Sequence, residues 1–148
     1  MILFVASPTG GHIYPAIALA QELSEHPCHF VSAKQPTGST LIERYGFTCS
    51  NLPKFRKNPF LLFWAFLKSL KLLWQLKPDI VVLCGGYTCI PVGLSAWLLR
   101  IPILVLEQNV LPGRANRFLA RFAQTVYVSF KESLPYIRHT NIKVTGNP

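Results

Sequence analysis

The chain has 148 residues, 15 of them Lys or Arg against 6 Asp or Glu, for a formal charge of +9, and half are hydrophobic. With only 14% charged residues, this composition excludes intrinsic disorder as the main description and specifies one folded domain, burying about 70% of its unfolded surface. The longest uninterrupted apolar run, residues 60–67, falls well short of the roughly twenty a membrane span needs, so no transmembrane helix is expected.

Residues 2–6 read as a short apolar strand. They carry no basic leader and run straight into Ser7-Pro8-Thr9-Gly10-Gly11, which points to a strand of a cytosolic protein rather than a signal segment. Apolar residues at 13, 16, 17, 19, 20 and 23 predict a helix over 13–25, with Pro15 near its start. A second strand is expected over 29–33, then a polar loop through Gly38, a short helix over 41–45 and a third strand over 47–52.

After the basic loop Lys54-Phe55-Arg56-Lys57-Asn58-Pro59, residues 60–76 read as a helix that stops before Pro78. Ile80-Val81-Val82-Leu83-Cys84 is a β-branched run of the kind buried on both faces of a parallel sheet. A helix over 90–99, a strand over 103–106, a helix over 114–122, a strand over 126–128, a weak helix over 131–137 and a strand over 142–145 complete the chain, which closes with Gly146-Asn147-Pro148. Strands alternating with helices throughout predict an α/β fold: a single doubly wound domain whose open parallel sheet is covered on both sides.

In such sheets ligands bind beyond the carboxyl ends of the strands. Three loops fall there: 9–12, 85–88 and 107–113. The first precedes a helix whose amino-terminal amides favour an anion, yet it does not match the dinucleotide fingerprint, and the second strand ends in Ala33-Lys34 with no acidic residue for a ribose. A phosphate-binding G-x-x-x-x-G-K-[ST] loop is also missing from the sequence. Thr9-Gly10-Gly11 reads as a turn that lets a ligand approach the backbone, or simply as the entry to a helix. His12 is a candidate general base, because an imidazole titrates near neutral pH, or else a packing residue. Glu107-Gln108-Asn109 carries more weight, as three polar residues directly follow a buried strand.

The cysteines Cys28, Cys49, Cys84 and Cys89 form no CxxC pair, and no Cys/His grouping has zinc-ligand spacing, so they read as free thiols. His26 and His29 flank the helix-breaking Pro27 and are assigned no function. Neither metal nor cofactor is indicated.

Taken in order and spacing, Thr9-Gly10-Gly11-His12, Gly85-Gly86-Tyr87, Glu107-Gln108-Asn109 with Gly113 and Asn116, and Gly146-Asn147-Pro148 resemble the amino-terminal domain of the MurG family. These are undecaprenyl-diphospho-muramoylpentapeptide N-acetylglucosaminyltransferases of peptidoglycan synthesis, and the resemblance runs over essentially the whole chain. It implies the Rossmann-like amino-terminal domain of a GT-B glycosyltransferase, with the lipid-linked muramoyl-pentapeptide acceptor on this side. A carboxy-terminal domain, absent from residues 1–148, would hold most of the UDP-N-acetylglucosamine donor. By the same resemblance Thr9, Gly10, Gly11 and Asn109 touch the donor, Gly86, Tyr87, Gln108 and Asn116 belong to the substrate-binding set, and His12 and Glu107 activate the acceptor hydroxyl or position the diphosphate. Two departures stand out: Ser7-Pro8 where the family usually has Gly-Gly, and Leu106 where it usually has His.

On a helical wheel, residues 60–76 place Lys68, Lys71 and Gln75 on one side with Trp64, while Phe and Leu side chains fill much of the rest. Basic residues beside aromatics suit a bilayer interface, and Lys54, Arg56 and Lys57 add charge. An anionic membrane surface is therefore the expected partner, at the cytoplasmic face of the plasma membrane. Packing on the sheet with a solvated lysine face is the competing reading, and nucleic acid is disfavoured by the lack of any binding motif. Two classes of function follow. One is the acceptor half of a transferase, with little or no activity by itself; the other is a non-catalytic membrane-anchoring subunit that binds acceptor and recruits a separate donor-binding chain.

Overall fold

The computed structural model describes residues 1–55 and 58–148. Arg56 and Lys57, expected to add charge beside the long helix, lie outside the described residues. In chain order the elements are β1 (Ile2–Val5), α1 (Gly10–Glu22), β2 (Cys28–Ala33), α2 (Pro36–Arg44), β3 (Thr48–Leu52), α3 (Pro59–Leu76), β4 (Ile80–Leu83), α4 (Cys89–Leu98), β5 (Ile103–Glu107), α5 (Arg114–Leu119), β6 (Thr125–Val128) and β7 (Ile142–Val144). A 3-10 turn, Ala120–Phe122, continues α5, and a second, Lys131–Tyr136, stands where a weak helix was expected. Pro135 lies inside that second turn and cannot donate to a continuing helix.

All strands pair in parallel, in the order β3-β2-β1-β4-β5-β6-β7. The order reverses between β1 and β4, so the loops leaving these two strands diverge to opposite sides and open a crevice. Along each strand alternate residues feed two cores. Leu3, Val81, Leu83, Ile103, Val105 and Val126 pack under α3, α4 and α5, while Phe4, Phe30, Val82 and Cys84 pack under α1 and α2. Phe4 and Phe30, neighbours in register on β1 and β2, stack at 5.2 Å.

Helices flank both faces of the sheet, as expected, but unevenly. On the α1 and α2 face the cover reaches Val82 and Cys84 of the β4 segment and thins toward β5 and β6. Ile80, Leu104, Leu106 and Tyr127 line a trough of about 460 Å³, with Leu19 of α1 and Leu23 just past its end on the rim. The β5 burial pattern shows the consequence, with Ile103 and Val105 buried but Leu104 and Leu106 only half-buried.

Several boundaries also move. α1 begins at Gly10 rather than at residue 13 and ends at Glu22, and α2 begins at Pro36, five residues before the expected start. α3 matches its sequence pattern. The Asn58 side chain accepts from the backbone N–H groups of Phe60 and Leu61, Pro59 fills the first helical position, and Lys77 ends the helix in the left-handed conformation at φ 47°.

Candidate active-site crevice at the strand-order reversal

The crevice is assembled from the two loops that diverge at β1 and β4. Ser7 donates its backbone N–H to the Gly85 carbonyl at 3.1 Å, and its hydroxyl lies 3.4 Å from that of Thr88. Gly85 and Gly86 have φ of +113° and +85°, the left-handed region that favours glycine. Space demands glycine as well. A Cβ on Gly85 would lie 2.6 Å from the His12 ring, and one on Gly86 would lie 2.3 Å from Ser7 Cβ. His12 is thereby seated against a backbone with no side chain, and its Nδ1 lies 3.4 Å from Gln108 Oε1, just past the end of β5. The sequence-predicted His12, Gly86 and Gln108, separate in the chain, converge here.

Thr9, Gly10 and Gly11 are exposed at the first turn of α1, where Thr9 makes no side-chain cap. Pro15 has no N–H to return, so the Gly11 carbonyl lacks its helical partner. The first turn therefore presents backbone amides and a carbonyl to whatever enters. Tyr87 stands 63% exposed at the rim. Asn147 and Pro148 return the chain beside Gly10, Gly11 and Tyr14.

Glu107 and Asn116 are placed differently from the other predicted site residues. Glu107 is 2% exposed, and its two carboxylate oxygens are fully engaged. Oε1 accepts from the Asn109 backbone N–H at 2.9 Å and from Asn109 Nδ2 at 3.1 Å; Oε2 accepts from the Gly113 N–H at 2.9 Å and from Asn116 Nδ2 at 3.0 Å. Asn116 is 1% exposed and also donates Nδ2 to the Leu106 carbonyl. A buried carboxylate with four donors is a knot that closes the 107–113 loop and fixes the entry to α5. Asn109 is exposed at the top of that knot, its carbonyl held by the Ser133 hydroxyl at 3.0 Å. Sequence reasoning missed Ser7, Thr88 and Ser133, whose partners are distant in the chain.

The thiols are chemically quiet. Burial pushes Cys89 up to about 12 and Cys49 to about 11, and raises Cys84 well above an ordinary thiol. Cys89 Sγ lies 3.3 Å from the Val5 and Gly85 carbonyls, tying α4 to both crevice loops. Trp64, Lys68 and Lys71 are exposed on α3, with Lys68 Nζ 5.6 Å above the Trp64 ring. Among the described residues no helix is long and apolar enough to cross a membrane.

A parallel sheet reversing order between β1 and β4, with a glycine turn, a helix start and an imidazole at the reversal, defines the class as a Rossmann-like domain with its ligand crevice at the topological switch point. The chain belongs to the family of the Glycosyltransferase family 28 N-terminal domain, which matches residues 2–128. It is 38% identical over 161 aligned positions to the UDP-N-acetylglucosamine--N-acetylmuramyl-(pentapeptide) pyrophosphoryl-undecaprenol N-acetylglucosamine transferase of Thermoanaerobacter sp. (strain X514), covering 99% of this chain and 44% of that protein. The crystal structure of Acinetobacter baumannii MurG superposes with a TM-score of 0.83 at 32% identity, over 99% of this chain and 46% of that one. A UDP-GlcNAc 2-epimerase from Neisseria meningitidis, bound to UDP-GlcNAc, shares the fold at 19% identity and a TM-score of 0.76. The chain thus spans slightly under half the length of the relatives it matches.

Proposed function

We propose that this chain is the acceptor-side half of an N-acetylglucosaminyltransferase, moving N-acetylglucosamine from UDP-N-acetylglucosamine to lipid-linked muramoyl-pentapeptide in peptidoglycan synthesis. The observation that carries the reading is His12 seated on Gly85 beside the exposed, uncapped first turn of α1. In this reading Nδ1 faces Gln108, which leaves Nε2 to take the proton of the acceptor hydroxyl. The freed oxygen attacks the anomeric carbon, the bond to the diphosphate breaks, and UDP leaves in a single inverting displacement. The amides of Gly10 and Gly11 receive diphosphate charge at the helix start, beside the Thr9 side chain, whose own N–H is given to the Ser7 carbonyl at 2.7 Å. Asn109, Gln108, Gly86 and Tyr87 line the approach, and Glu107 and Asn116 act as positioning residues that hold the loop.

Catalysis needs a second body for the donor, and the uncovered trough at Ile80, Leu104, Leu106 and Tyr127 supports one. Parallel sheets are ordinarily covered on both faces. The same trough favours the alternative of a separate donor-binding chain docked on a non-catalytic subunit. The exposed Phe60, Phe63, Trp64 and Trp74 of α3, with Lys68 and Lys71, support peripheral attachment to an anionic membrane at its cytoplasmic face.

The test is turnover of lipid acceptor with UDP-N-acetylglucosamine by this chain reconstituted with a donor-binding half, compared with the chain alone. The chain alone is expected to be inactive, and His12→Ala in the reconstituted enzyme is expected to lower kcat by about a hundredfold or more. Unchanged turnover would make His12 structural. Activity that needs the second chain yet ignores His12 would favour the subunit reading.

A further inference from the structure

Besides the lysines of α3, the chain gathers positive charge along α5. Arg114, Arg117 and Arg121 follow α5 and its 3-10 extension at spacings of three and four, while Ala115, Asn116, Leu119 and Ala120 turn inward. The three guanidinium groups therefore emerge on one side. A fourth arrives from elsewhere in the chain. Arg138 follows the buried Ile137, and the next residue, His139, pins its segment to the end of the 3-10 turn by a 3.0 Å contact between Nε2 and the Ala123 carbonyl. Together with Phe118 and Tyr136, the four arginines line a hollow of about 490 Å³ that shares no residue with the crevice loops.

Like charges gathered in this way repel one another, and here nothing in the chain answers them. All six acidic residues are described, and among the described residues the only ion pair joins Asp79 to the chain amino terminus. Glu132, though close in sequence, pairs with none of the four. The guanidinium fork matches phosphoryl oxygens bidentately and keeps its charge at any physiological pH. An anion with several phosphoryl oxygens offsets the repulsion as no single carboxylate does.

We propose that this arginine hollow is a second, phosphate-binding site. Its chemistry is that of a phosphate or diphosphate group, carried by a soluble anion or by a lipid headgroup. One feature bears on the second source. Phe118 meets Phe122 edge-on at 5.5 Å and Phe122 tilts against Trp97 at 5.2 Å, so an aromatic strip leads from the hollow to the 55% exposed Trp97.

The experiment uses the full chain, Arg117→Gln/Arg121→Gln, and the control Arg44→Gln/Lys77→Gln, which removes the same charge from exposed sites elsewhere. Each protein is titrated calorimetrically with inorganic pyrophosphate and sedimented with phosphatidylglycerol vesicles, after circular dichroism confirms the fold. Arg117→Gln/Arg121→Gln is expected to weaken one of these ligands by about tenfold or more while the control stays near wild type. A selective loss toward pyrophosphate identifies a soluble anion, and a selective loss toward vesicles alone identifies a headgroup. The proposal is overturned if wild type binds neither ligand, if the arginine variant binds both as wild type does, or if the control loses as much.

Discussion

Replacing Glu107 with glutamine separates a structural carboxylate from a chemical one. Glutamine keeps the shape but offers one oxygen in place of two, and whichever way the amide turns, its NH2 faces two donors. Oriented toward Oε2, it would confront the Gly113 N–H and Asn116 Nδ2, now 2.9 and 3.0 Å from the carboxylate. Hydrogen bonds to a charged acceptor contribute about 1.5–3 kcal/mol each, and of the stranded donors Asn116 Nδ2 is buried and the Gly113 N–H partly so. Losing two therefore costs about 3–6 kcal/mol, a large part of the stability of a domain this size. With a urea slope of about 1–3 kcal/mol/M, the unfolding midpoint should fall by about 2 M. Urea denaturation followed by circular dichroism measures it directly. A variant within about 1 kcal/mol of wild type would refute the knot, and if the reconstituted transferase also lost turnover, Glu107 would return to the chemistry.

Gly86→Ala is expected to lose about 1–2 kcal/mol from its left-handed φ and about 1–3 kcal/mol from the collision with Ser7; adding Ser7→Gly should recover only the second part in urea titrations. His29 bonds Thr48 Oγ1 at 2.7 Å and Ser50 Oγ at 2.8 Å, and burial holds its pKa below the ordinary histidine value. The unfolded chain then binds the proton more readily, so stability is complete above about pH 6.5 and declines as pH falls below it. His29→Gln should flatten the change in urea midpoint between pH 7 and pH 5. Lys68→Glu/Lys71→Glu should weaken flotation with anionic liposomes by about thirtyfold or more, taking about 1 kcal/mol for each lysine lost; equal binding by both proteins would remove α3 from the membrane reading.

The alternation of strand and helix was legible because β-branched runs such as Ile80-Val81-Val82 and the apolar spacing of α3 need no tertiary help. Helix starts were less legible. Gly10 and Gly11 carry no periodicity, and Pro36-Thr37-Gly38-Ser39 has the composition of a loop although Pro36 opens α2. The open sheet face was hidden because Leu104 and Leu106 are as apolar as the buried Ile103 and Val105 beside them. At the candidate site, the spacing of polar residues after β5 drew attention to the 107–113 loop. It did not separate the inward Glu107 from the outward Asn109, since that division is made by Gly113 and Asn116 folding back. Likewise, Arg138 meets α5 only through the tertiary fold.

Ser7-Pro8 is matched by its surroundings. A Cβ on Gly38 would stand 2.7 Å from Pro8 Cβ, as one on Gly86 would collide with Ser7. The two larger residues are thus accommodated by two absent side chains, one at each neighbouring loop. Exchange at these positions is consequently directional. Glycines at 7 and 8 would remove the two closest collisions, although a side chain at the buried position 38 would still press on the residue 8 backbone at 3.3 Å and Ser32 Oγ at 3.4 Å, whereas Ser-Pro requires that positions 38 and 86 already be bare. Chimeras that swap the first loop alone should inherit this asymmetry, and the order in which such substitutions accumulate along a lineage is restricted by the same two contacts.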